Sequence, residues 1–105
     1  MRYTITISIE AEQDLSCIYK SIVVNNEVLA KRVLDEFYEK IKSLEFFPYR
    51  NPKLLKKHKI EENVRVTYLY RYFILYAVLK NDVVFVFKIL YCGQDINKIE
   101  INFDN

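Results

Sequence analysis

The chain opens with strict alternation. Tyr3, Ile5, Ile7 and Ile9 are apolar, while Thr4, Thr6 and Ser8 between them are polar. A period of two predicts a half-buried strand with those apolar residues on one face. The period then lengthens. Ala11, Leu15, Ile18 and Ile22 recur at helical spacing and form one stripe. Ser8 stands where a helix cap belongs, and Glu10 and Glu12 suit the positive end of the helix dipole. Asn25-Asn26 breaks the pattern, since Asn tolerates the left-handed conformation and also caps helices. A second helix is predicted over 27–44, with Ala30, Val33, Leu34, Phe37, Ile41 and Leu44 as its apolar stripe. So short a break makes the pair an antiparallel hairpin. The prolines of "FFPYRNP" forbid further helix.

From Val64 the pattern becomes that of strands. "VRVTYLY", "YFILYAVLK" and "DVVFVFKILY" each read as one, with Asn81-Asp82 as a two-residue hairpin turn. "FILYAVL" and "VVFVF" are apolar at every position, which predicts central strands covered on both faces. The order is β-α-α-β-β-β, a small single α+β domain with a helical hairpin packed on a mainly antiparallel sheet. In the tail, 96–105, Ile96, Ile99, Ile101 and Phe103 are apolar enough to pack on the body or add a strand.

Composition narrows the function. Of the 105 residues 51% are hydrophobic and 29% charged, the balance of a folded domain. No apolar run is long enough to cross a bilayer and the first residues do not read as a signal peptide, so a cytoplasmic protein is expected. Cys17 and Cys92 lack partners at metal-ligand spacing and read as buried packing residues. The only glycine, Gly93, excludes a phosphate-cradling glycine loop. The only histidine, His58, reads as an exposed loop residue and makes a Ser-His-Asp triad improbable. No metal or cofactor is implied. Charge is local: Arg50, Lys53, Lys56, Lys57, Lys59, Arg65 and Arg71 face only Glu61 and Glu62 in their stretch, and the rest is net acidic. "KKHKIEENVR", residues 56–65, is read as a basic loop, either solvated or anion-binding.

Several motifs, in order, carry a resemblance. "EAEQDLSCIYKSI" supplies Ala11, Asp14, Leu15, Ile18 and Tyr19, and "LAKRVLDEFYEKIKSLEFFP" ends in Leu44-x-x-x-Pro48. An Arg-led strand from Arg65, a Tyr-x-Ile-x-Tyr-x-Val strand from Tyr72 and a strand closing in "YCGQD" follow. Over residues 3–95 the chain resembles the RelE/ParE toxins of type II toxin–antitoxin systems, the plasmid stabilisation kind. That resemblance implies a toxin domain over 1–95, a cognate antitoxin as partner, and contact with DNA only through the antitoxin complex. It also implies one of two activities. RelE-like toxins cut messenger RNA on the ribosome without a metal, and ParE-like toxins bind and inhibit DNA gyrase.

Position by position, the ParE-like branch is favoured. The RelE-like pattern Tyr-Arg-x-x-Tyr has Phe73 where its Arg would stand, and the terminal His-Gly-Arg-Arg-Asp becomes Tyr91-Cys92-Gly93-Gln94-Asp95. Removing one preorganised donor from a developing anion costs about 3 kcal/mol in the transition state. A ribonuclease reading would rest on Arg65, Arg71 and Tyr91. A third reading is an inactive relic that still binds antitoxin. Candidates for target or antitoxin binding are Lys53, Lys56, Lys57, Lys59, Arg65, Arg71, Tyr91 and Gln94. Tyr68, Tyr70 and Tyr72 read as core residues before they read as a base-stacking platform.

Overall fold

A computed structural model describes residues 2–57, 59–99 and 101, with the backbone alone at 59, 61 and 62. The elements are β1 (Thr4–Ile7), α1 (Ile9–Val23), α2 (Glu27–Lys42), β2 (Lys53–Lys56), β3 (Lys59–Leu69), β4 (Tyr72–Leu79) and β5 (Val83–Tyr91). One five-stranded sheet results, in the order β1-β5-β4-β3-β2. Among the described residues only the β1–β5 pair is parallel. The α+β class, the helical hairpin and the central place of β4 and β5 are as the sequence predicts.

Two expectations need correction. The end of β2 at Lys56 and the first half of β3 occupy residues 56–65, the stretch read as a basic loop. Leu54, 3% exposed, anchors that hairpin by packing with Val64 and Leu75, and its lysines suit a sheet edge that must not recruit another strand. His58 lies outside the described residues. Ile9 is 80% exposed, because at that residue the chain has already left β1 for α1.

The caps hold as predicted. Ser8 Oγ accepts from Ala11 N at 3.0 Å, and Asn26 Oδ1 accepts from Leu29 N at 3.0 Å. Asn81 and Asp82 both have positive φ, 63° and 57°, the geometry of a primed hairpin turn. On one face of the sheet, Ala11, Leu15 and Ile18 of α1 and Val33, Phe37 and Ile41 of α2 close over Ile74, Tyr76, Val84, Val86 and Ile89. On the other face Leu54, Val64, Leu75, Ala77 and Phe87 form a smaller cluster joined by Phe73, Phe85, Ile96 and Ile101. Ile96 and Ile101 of the tail therefore pack on that face. The Lys56 ammonium donates to the carbonyl of Ile99, and Lys57 N donates to Asn97 Oδ1 at 2.7 Å. Phe103 lies outside the described residues.

Strand β5 carries a β-bulge, since Leu75 pairs with Lys88 while Tyr76 pairs with Val86. Helix α1 grips it there. Ser8 Oγ donates to the Phe87 carbonyl at 3.1 Å, and Asp14 accepts from Ile89 N at 3.0 Å and from Lys88 Nζ at 3.2 Å. Burial works against the Lys88 charge, but hydrogen bonds and charge from Asp14 and Glu10 outweigh it and raise its pKa above the ordinary lysine value.

Candidate functional site

The β3–β4 turn, Tyr70-Arg71, and the end of β5 meet beside the closed end of the helical hairpin, where α1 passes into α2. Tyr72 and Tyr91 are cross-strand partners, and their rings meet edge to face with centroids 5.6 Å apart. Phe37 of α2 backs Tyr72 at 5.7 Å. The two tyrosines divide two clefts. One, about 230 Å³, is lined by Asp14, Cys17, Ile18, Ser21, Ile89 and Gln94. The other, about 630 Å³ and mostly apolar, is lined by Ile22, Leu29, Arg32, Val33, Tyr70 and Arg71.

Local chemistry fixes this end. The turn after β5 closes back on itself: Gln94 Oε1 accepts from Tyr91 N at 3.0 Å, and Gln94 N donates to the Tyr91 carbonyl at 2.9 Å. Cys92 N donates to the Arg71 carbonyl at 2.8 Å, tying the two turns together. A Cβ at Gly93 would sit 2.8 Å from the Tyr91 ring, so any larger residue there must push that ring aside. Tyr70, at φ 56°, donates its hydroxyl to Glu36 of α2. That hydrogen bond, then burial and the Glu36 charge, raises the Tyr70 pKa against an opposing effect of Arg32. Among the described residues the hydroxyls of Tyr72 and Tyr91 and the Arg71 guanidinium have no hydrogen-bonding partner.

The candidate residues therefore separate. Arg71, Tyr91 and Gln94 come together at the clefts. Lys56, Lys57 and Lys59 lie at the far end of β3, about 33 Å away along an eleven-residue strand, while Lys53 sits opposite Arg65 near the middle of β3. Arg65 joins neither group: its Nη1 donates to the carbonyls of Tyr49 (3.1 Å) and Asn51 (2.6 Å), and its guanidinium lies 5.0 Å over the Tyr49 ring. The Gln94 side chain is held by its own turn. Phe73 turns away from Tyr72 and Tyr91 into the cluster beneath the tail.

Other expectations change as well. Tyr68 and Tyr70 are exposed, at 66% and 57%: Tyr68 lies on the part of β3 beyond Arg65 that β2 no longer flanks, and Tyr70 lies in the β3–β4 turn. Tyr72 alone packs against the core as expected. Cys17 and Cys92 are exposed free thiols, the first at the mouth of the smaller cleft and the second in the turn after β5. Sequence reading missed Leu29 and Arg32 as cleft residues. Their spacing on the rim of the α2 stripe was the available signal.

The sequence profile described as ParE toxin of type II toxin-antitoxin system, parDE, matches residues 5–96. The chain belongs to the ParE toxin family. Among solved structures this ParE-family chain is similar to one from a chromosomal ParDE system of P. aeruginosa. That likeness has a TM-score of 0.71 at 17% identity and covers 86% of this chain and 96% of the other. It is also similar to a chain of the RelBE2 toxin–antitoxin complex of Mycobacterium tuberculosis, with a TM-score of 0.64 and 17% identity over 87% and 99% of the two. At such identities the likeness speaks for the fold shared by ParE and RelE toxins. No curated protein matches the sequence. The chain is a toxin of a toxin–antitoxin system. Among the described residues no helix is long and apolar enough to cross a membrane.

Proposed function

We propose that this toxin acts by binding DNA gyrase and is silenced by a cognate antitoxin, part of which folds over the toxin's apolar surface. The observation that carries this reading is the direction of position 73. It faces an apolar layer of Val66, Leu75, Leu79, Phe85 and Phe87, overlaid by Ile96 and Ile101. RNA cleavage by a ribose 2′-hydroxyl needs cations preorganised where phosphate charge develops. Here Arg65 is engaged by main-chain carbonyls and Gln94 by its own turn, so neither supplies one. Arg71 and Tyr91 are what a ribosome-dependent endonuclease would have left to use.

Expression without antitoxin is the test. The expected outcome is inhibited supercoiling by purified gyrase and transcripts with unaltered ends. New cuts inside translated codons would overturn the reading in favour of messenger-RNA cleavage. Loss of both effects with antitoxin binding intact would identify a relic.

A further inference from the structure

A second surface lies at the other end of the sheet, about 23 Å from the clefts along β4. Tyr3 N donates to the Glu45 carbonyl and Thr4 N to the Asp82 carbonyl, so this is the end of the β4–β5 turn. Here Phe46, Phe47 and Tyr49 stand 49%, 78% and 56% exposed on neighbouring residues. Phe47 is moreover left-handed, φ 53° and ψ 54°, a conformation that bulky side chains rarely take.

The fold holds this segment firmly. Arg50 Nη1 donates to the Phe46 carbonyl at 2.6 Å and more weakly to Ser43 and Phe47, and its Nη2 donates to Ser43 Oγ at 2.9 Å. Arg65 holds the carbonyls of Tyr49 and Asn51 from the other side. Beneath them the fully buried Tyr76 donates to the Pro48 carbonyl at 2.6 Å and accepts from Asn51 Nδ2 at 3.1 Å. Strained backbone persists only where its surroundings over-determine it. Two arginines and a core tyrosine here fix a loop that turns its rings outward. A loop serving only to connect α2 to β2 would need neither the rings nor the restraint.

We propose that this aromatic knuckle is a contact through which the toxin grips its folded target, with Phe47 seated in an apolar pocket rimmed by carboxylates. Rigid aromatic anchors flanked by arginine are what interface hot spots consist of, and fixing them beforehand lowers the cost of association. The shape selects the partner. Phe47, 78% exposed, forms one wall of a cleft of about 360 Å³ completed by Tyr3, Pro48, Tyr49 and Arg50, and a fixed relief of this kind suits the surface of a folded protein more than a segment that folds on arrival. Arg50 keeps its charge while it holds these neutral oxygens, and beside the rings that exposed charge calls for acidic groups on the partner. The assignment rests on the gyrase reading for the identity of that target.

The test uses the full chain with purified DNA gyrase and, separately, purified antitoxin. Phe47→Gly relieves the left-handed strain and so keeps the fold, while Phe47→Tyr keeps a ring. Phe47→Gly is expected to weaken gyrase binding about tenfold or more, Phe47→Tyr to restore most of it, and antitoxin affinity to stay unchanged. Equal gyrase affinity for wild type and Phe47→Gly overturns the knuckle alone. A wild-type chain that does not bind gyrase overturns the functional reading and the knuckle with it. A loss seen only toward antitoxin, toward a labelled single-stranded RNA, or in self-association by sedimentation gives the surface to that partner and overturns its assignment to the target.

Discussion

The two ends of the sheet use cations in opposite ways. At the knuckle, Arg50 and Arg65 point their guanidinium groups at carbonyl oxygens, and the aromatic rings stand outermost. At the clefts, the carbonyls are satisfied by backbone turns and the Arg71 guanidinium has no partner among the described residues. An arginine count from sequence treats the two alike. Their partners show that one kind builds a surface and the other is a surface.

The sharpest way to break this contrast is to remove both charges. Arg65→Met should cost about 2 kcal/mol in urea denaturation, since it takes a charged donor from two carbonyls. Arg71→Met should stay within about 0.5 kcal/mol. Equal losses would erase the distinction. A smaller effect is expected from Tyr76→Phe, about 1 kcal/mol, because only the hydroxyl between Pro48 and Asn51 is lost while the ring still fills the core. If that variant also makes the 46–51 segment more sensitive to protease, Tyr76 is the strut of the knuckle.

The least effect is expected from alkali. Burial raises the Tyr76 pKa, and the Glu36 hydrogen bond raises that of Tyr70, each above the ordinary 10.0. A raised folded pKa gives stability that is whole below pH 10.0 and lost as pH climbs through the folded value. Stability measured against pH should therefore fall above pH 10.0, and Tyr76→Phe should flatten the fall more than Tyr70→Phe, whose site is exposed.

Much of the frame was legible because it is periodic. The stripes of α1 and α2, the Ser8 cap and the Asn81-Asp82 turn are local signals, and each stands where the pattern put it. Strand β2 was not legible, because four residues with a lysine at each end carry almost no strand signal until Leu54 finds Val64. The exposure of Tyr68 depends on where β2 stops flanking β3, which no window of sequence contains. Arg65 shows the limit most clearly. Its match to the strand motif was visible, but its acceptors are main-chain oxygens of Tyr49 and Asn51, and any residue type supplies those.

The extra residue at the β5 bulge acts as a phase shifter. Val84 and Val86 face the helices on even positions, and past the bulge Ile89 and Tyr91 face them on odd ones. Deleting one residue there would restore an unbroken count and turn Tyr91 to the opposite side of the sheet. Whether the molecule has clefts divided by two tyrosines is thus decided by an insertion of a single amino acid, which the grip of Ser8 and Asp14 holds in place.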